Sequence, residues 1–187
     1  RATPTTNTGR RGRLVFAMDA TASREPAWDR ACHIQAEMFT ETAALGGLDV
    51  QLVFYRGFGE CKASPWVANS EKLVKLMTSV RCLGGKTQIA KILTHTLKES
   101  RQDPVNALVF VGDCMEEDVD ELCHHAGELG LRGVPAFIFH EGGEPVAARA
   151  LRSPLRSSNV PLVAMRWENA RWGNGRWRSG RHRAWPR

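Results

Sequence analysis

The sequence contains no run of about eighteen apolar residues, the length a membrane-spanning helix needs, and its opening stretch, RATPTTNTGRRGR, lacks the apolar core of a secretory signal. It also lacks any Cys-x-x-Cys pair. Its five cysteines, Cys32, Cys61, Cys82, Cys114 and Cys123, are odd in number and irregularly spaced, which argues against a disulfide framework and against a structural zinc site. These absences lead us to expect a soluble, intracellular protein, cytoplasmic in location, with reduced thiols. Acidic residues are nearly missing from one region. Residues 152–187 hold nine Arg and a single acid, Glu168, leaving 17 of the 26 basic and 19 of the 20 acidic residues to the rest of the chain. The net charge of +6 therefore belongs to the tail and does not mark the whole surface as a nucleic-acid or membrane partner.

What is present suits one globular domain: 187 residues, 42% of them hydrophobic, can bury a core without disulfides or a structural metal. Residues 1–12 are too polar to join that core and read as a flexible lead-in. The fold is expected to begin at Leu14, with RLVFAM as a buried strand. A helix carrying Ala27, Ala31, Ile34 and Met38 follows and ends at Gly46-Gly47. LDVQLVFY, a turn at Arg56-Gly57 and a short partner around GECKAS read as a hairpin with an edge strand. Ser70 is placed to cap a helix bearing Leu73, Val74, Met77 and Val80, and another helix opens near Thr87 with Ile89, Ile92, Leu93 and Leu97 inward. VNALVFVG is continuously apolar, as a parallel strand covered on both faces must be. A helix beginning with Glu116, Glu117 and Asp118, and the strand VPAFIF, complete the alternation. The pattern predicts an α/β fold: a doubly wound, mostly parallel sheet with one antiparallel edge strand and helices on both faces.

Oxygen-bearing side chains gather where such a sheet binds ligands, at the carboxyl ends of its strands. Asp19, Thr21 and Ser23 follow the first strand, Thr87 stands at a helix start, and Asp113 follows ALVFVG. Taken singly, each has an ordinary explanation, since Ser23, Thr87 and Asp113 could all cap helices. Taken together they form a set of hard oxygen donors without Cys or His, which suits Mg²⁺ or Mn²⁺ rather than Zn²⁺.

These residues resemble the metal-ion-dependent adhesion site (MIDAS) of the von Willebrand factor type A (VWA) family, which combines Asp-x-Ser-x-Ser with a distant Thr and a later Asp. The match is carried by Asp19, Thr21, Ser23, Thr87 and Asp113, by GGKTQIAKIL around Thr87 and by VFVGD ending at Asp113. The resemblance covers about residues 13–151 and implies a Mg²⁺ or Mn²⁺ ion that binds an acidic residue, Glu or Asp, of a partner protein. It also suggests an intracellular assembly beside an AAA-type ATPase. Thr21 departs from the family's first serine by one methyl group, and Lys86 brings a positive charge next to Thr87. Two carboxylates balance a divalent ion, and the neutral hydroxyls complete its shell without adding charge, so the ion would stay receptive to an incoming acid.

A haloacid-dehalogenase-like phosphatase is the enzymatic alternative, because Asp19, Thr87, Lys86 or Lys91, and Gly112-Asp113 echo its scattered motifs. That chemistry needs a second acid two residues after its nucleophile, and the position holds Thr21. A non-enzyme is therefore expected. Cys123, His124 and His125 occupy consecutive helical positions, whose side chains diverge. The tail, 152–187, contains a possible edge strand in NVPLVAM and then an Arg-Trp pentad repeat with four of the six tryptophans. Arg interleaved with aromatics can bind single-stranded nucleic acid. Such a composition also arises when GC-rich coding DNA is read out of frame, and a disordered or frame-shifted tail is the other reading.

Overall fold

The computed structural model describes residues 11–25, 28 and 47–140, together with the backbone of 162–166, 170–173 and 176–179. The helix expected over Ala31, Ile34 and Met38 lies outside the described residues. Five parallel strands and one antiparallel strand form the main sheet: β1 (Gly12–Asp19), β2 (Leu48–Arg56), β3 (Glu60–Ala63), β4 (Ala107–Gly112), β5 (Ala136–His140) and β6 (Leu162–Arg166), in the order β3-β2-β1-β4-β5-β6. Only β3 runs antiparallel, paired with β2 through the turn at Gly57. β6, inside NVPLVAM, pairs with β5. Among the described residues three α-helices accompany the sheet: α1 (Ser70–Thr78), α2 (Ile89–Gln102) and α3 (Val119–Leu131). A separate hairpin pairs β7 (Ala170–Gly173) with β8 (Arg176–Ser179). Among the described residues no helix is long and apolar enough to cross a membrane.

The two faces of the sheet explain why β1 and β4 read as unbroken apolar runs. Side chains alternate across a strand, so Leu14, Phe16 and Met18 join Leu52, Val109, Val111, Leu73 and Met77 on the α1 face. Val15 and Ala17 join Val53, Phe110, Ile92, Leu93, Leu122 and Leu129 under α2 and α3. Each fully buried Leu, Ile, Phe or Met contributes roughly 1.5–3 kcal/mol relative to exposure, which fixes the register of the central strands. Trp28 anchors the segment after β1 to the α1 face, where its indole N–H donates to the Met77 carbonyl at 3.1 Å.

Strand β1 starts at Gly12, two residues before the expected Leu14, because Leu48 and Asp49 continue the β2 ladder opposite Gly12 and Arg13. Arg11 adds an ion pair with Asp49 at 2.9 Å and a donation to the Ala68 carbonyl. Helix starts also shift. Asn69, not Ser70, caps α1, accepting from the Lys72 N–H, and α3 begins at Val119 behind its cap Asp118, which accepts from the Glu121 N–H at 2.9 Å. Glu116 and Glu117 are thus outside α3.

Candidate metal centre

Strand β1 is flanked by β2 on one side and β4 on the other. The chain leaves β1 toward β2 and later returns to the opposite side as β4, so the carboxyl end of β1 is a topological switch point, where open α/β sheets hold their ligands. Asp19 is the last residue of β1, in register with Tyr55, and Gly112 ends the adjoining strand. A Cβ on Gly112 would stand 2.7 Å from the Phe110 ring and 3.5 Å from the Asp19 Cβ. Glycine at 112 is what leaves room for the Phe110 ring beside the end of β4.

Asp19 is wholly buried, with 0% exposure. Its Oδ1 accepts the Thr21 N–H at 2.8 Å, whereas its buried Oδ2 makes no hydrogen bond of good geometry; the buried Tyr55 hydroxyl, which also lacks one, faces the carboxyl. Burial is the main cause that holds its carboxyl above the ordinary range; bonds from Thr21 pull it down, Asp113 nearby pushes it up, and the Tyr55 hydroxyl facing it lowers it slightly. Tyr55 itself is buried and stacked on Phe110, its phenol pushed well above its usual range by burial first and the Asp19 charge second. Thr21 Oγ1 and Ser23 Oγ lie 3.1 Å apart on the turn after β1.

Thr87 is buried on a loop laid across the sheet's end. Leu83 N–H donates to the Ala20 carbonyl at 3.0 Å and Lys86 N–H to the Gly57 carbonyl at 3.2 Å, while Gln88 Nε2 reaches the Arg56 and Gly57 carbonyls. Gly85 is packed so tightly on the Gly57 carbonyl that an added Cβ would overlap it. The Thr87 hydroxyl accepts the Glu116 N–H at 3.1 Å, and Thr87 N–H donates to Glu116 Oε2 at 3.4 Å. These bonds bring the Thr87 loop to the segment that carries Asp113. Lys86 is exposed although its neighbour Thr87 is buried.

The ordinary helix-cap explanations fail for two candidate ligands. Thr87 does not cap α2; that role falls to Glu117, whose two carboxylate oxygens accept the N–H groups of Ile89 and Ala90. Asp113 does not cap α3, since Asp118 does. Ser23 sits within a short 3-10 turn, Ala22–Arg24, and the helix it was expected to cap lies outside the described residues. Sequence reasoning missed Tyr55, Arg24, Glu116 and Glu117 as parts of this region. Tyr55, the only tyrosine, was a signal of sorts; the two glutamates were hidden by their resemblance to a helix start, and Arg24, buried to 1% exposure, had no signal.

The residues fit a hard divalent cation. A buried carboxylate oxygen on Asp19, the Thr21 and Ser23 hydroxyls 3.1 Å apart and the Asp113 carboxyl just beyond β4 are donors of the kind such an ion takes. A different group gathers on α3: His124, His125 and Glu128 bring their ligand atoms within 4.8 Å of one another, whereas Cys123 is not part of that group. The expected divergence of three consecutive residues thus holds for Cys123 but not for the histidines, because Glu128 is one turn on from both. His125 lies 3.6 Å from Glu128 and 4.0 Å from Glu121, spacings of ion pairs on a helix surface.

No family model matches the chain, and no curated protein matches it in sequence. Its fold does have solved counterparts. The VWA domain of SpRpn10 superposes with a TM-score of 0.63 at 15% identity, over 84% of this chain and 89% of that one. An aerotolerance-related membrane protein from Bacteroides fragilis gives 0.61 at 12% identity, over 84% and 93%. Proximal thread matrix protein 1 from the mussel byssus, with a zinc-occupied MIDAS motif, gives 0.57 at 13% identity, over 82% of this chain and 41% of its own. The strand order, the antiparallel edge and these superpositions together establish that this chain has the fold of the VWA domains.

Proposed function

We propose that the chain is a non-enzymatic, divalent-metal-dependent protein-interaction domain. In this reading Asp19, Thr21, Ser23, Thr87 and Asp113 hold Mg²⁺ or Mn²⁺, and a partner protein presents a Glu or Asp to the ion. The observation that carries it is the unpartnered Oδ2 of fully buried Asp19. A buried carboxylate oxygen left without a partner costs about 1–3 kcal/mol or more, and a cation would remove that cost. When bound, the ion would supply a Lewis-acidic docking point for a carboxylate. The chain's own residues would fix it in place: the Thr21 N–H orients Asp19, and the Glu116 N–H orients the Thr87 hydroxyl.

Further support comes from the mussel protein whose MIDAS motif holds zinc and from the VWA domain of SpRpn10, which share the fold. Zinc in that relative leaves Mg²⁺ or Mn²⁺ as our own choice, made from the all-oxygen donor set. The non-enzymatic reading rests on Thr21, which stands where phosphatase chemistry would need an acid. A cytoplasmic assembly, with an AAA-type ATPase among its members, is the setting we propose. The test is capture of partners from the native host with and without EDTA. Partners should be lost in chelator and with the Asp19→Ala variant; an unchanged set of partners in both would overturn the proposal.

A further inference from the structure

We infer that Glu116 is the centre's own acidic ligand, carried on the loop after β4, and that a partner's carboxylate reaches the ion only by displacing it. The inference rests on the metal-binding reading above. Glu116 follows Asp113 by three residues and is tied to Thr87 by two reciprocal bonds, its N–H to the Thr87 hydroxyl at 3.1 Å and its Oε2 to the Thr87 N–H at 3.4 Å. The second bond is long for N–H···O, so the carboxylate is held beside a candidate ligand without being committed there. Its neighbour Glu117 is different: both of its oxygens are engaged by the first turn of α2. Glu116 is exposed, so its carboxylate is also accessible to exchange. The unpartnered Oδ2 of buried Asp19 independently marks the ion's position at the end of β1.

The charge count then changes. Asp19 and Asp113 alone would neutralise a divalent ion, and a third carboxylate makes the centre net negative. Such a centre holds its ion more tightly but repels a fourth acid. Partner binding becomes an exchange of one carboxylate for another, in which the exposed Glu116 side chain swings aside while its N–H stays on the Thr87 hydroxyl and Glu117 holds the β4–α3 loop against the start of α2.

Mn²⁺ titration of the full chain tests this, with free ion followed by electron paramagnetic resonance and bound water by proton relaxation. The unaltered chain should bind one Mn²⁺, and Asp19→Asn should not. Glu116→Gln should bind it roughly tenfold or more weakly, the scale of loss for groups that support a metal site. Relaxation per bound ion should rise as water takes the vacated position, and added acetate should quench it at lower concentration than in the unaltered chain. Glu121→Gln, the same charge loss on the exposed face of α3, should leave all three readings unchanged. If Glu116→Gln matches the unaltered chain while Asp19→Asn abolishes binding, or if Glu121→Gln shifts the readings equally, the inference fails and the metal centre stands. If the unaltered chain binds no Mn²⁺, or Asp19→Asn binds it equally well, both fall.

Discussion

Asp19 is a cost to the fold and, in the proposed reading, the residue on which metal binding turns. Burial raises its carboxyl above the ordinary range, so the folded chain holds this proton more firmly than the unfolded chain does. Its contribution to stability is therefore greatest below the unfolded pKa and is lost as pH rises through the raised folded value. Above that raised value the metal-free protein carries an ionised, half-partnered carboxylate at the end of β1. Asp19→Asn removes that charge while keeping the shape, so the metal-free variant should unfold at higher urea than the parent at pH 7. The gap should close as pH drops below the carboxylate range. Urea midpoints measured across that pH series check it, and a variant weaker than the parent at pH 7 would contradict it. Asp19, Thr21, Ser23, Thr87 and Asp113 were all legible as oxygen donors at strand ends. The release of Thr87 and Asp113 from capping was not, because Asp118 and Glu117 perform those caps from positions that only the folded loops reveal.

At the scale of elements, the strands and their order follow from two-sided burial and from the hairpin at Gly57, both visible as sequence pattern. The loop between α1 and α2 was less legible. Gly85 is pressed on the Gly57 carbonyl, and the loop crosses the ends of β1 and β2. The reason is a contact between residues distant in the chain, which no local pattern records. Gly85→Ala must push the loop away from that backbone. We expect it to cost about 1–3 kcal/mol, the usual range for overpacking, and to weaken metal binding because Thr87 lies two residues on. Denaturant unfolding and a Mg²⁺ titration of the variant measure the two effects; wild-type behaviour in both would show that the loop does not position Thr87.

For the molecule as a whole, the basic excess and the metal centre lie in different parts of the chain. Strand β6 sits inside the Arg-rich region, within the NVPLVAM segment read as an edge strand, and pairs with β5 at the edge of the main sheet. A truncation that spares β6, removing residues 167–187, should leave Mg²⁺ affinity unchanged. If the tail binds single-stranded nucleic acid, that binding should disappear with the truncation, and in the full chain log affinity should fall with log salt at roughly −0.7 per phosphate contact. Fluorescence anisotropy with a labelled oligonucleotide reads this directly, and salt-independent binding that survives truncation would place the interaction elsewhere. The central claim, a cation held at the end of β1, is most directly measured by thermal or urea unfolding with and without Mg²⁺. At an ion concentration about a hundred times its dissociation constant the full chain should gain about 2.7 kcal/mol, with no gain in Asp19→Asn. Equal stability of the full chain with and without Mg²⁺, or an equal gain in Asp19→Asn, would contradict the account.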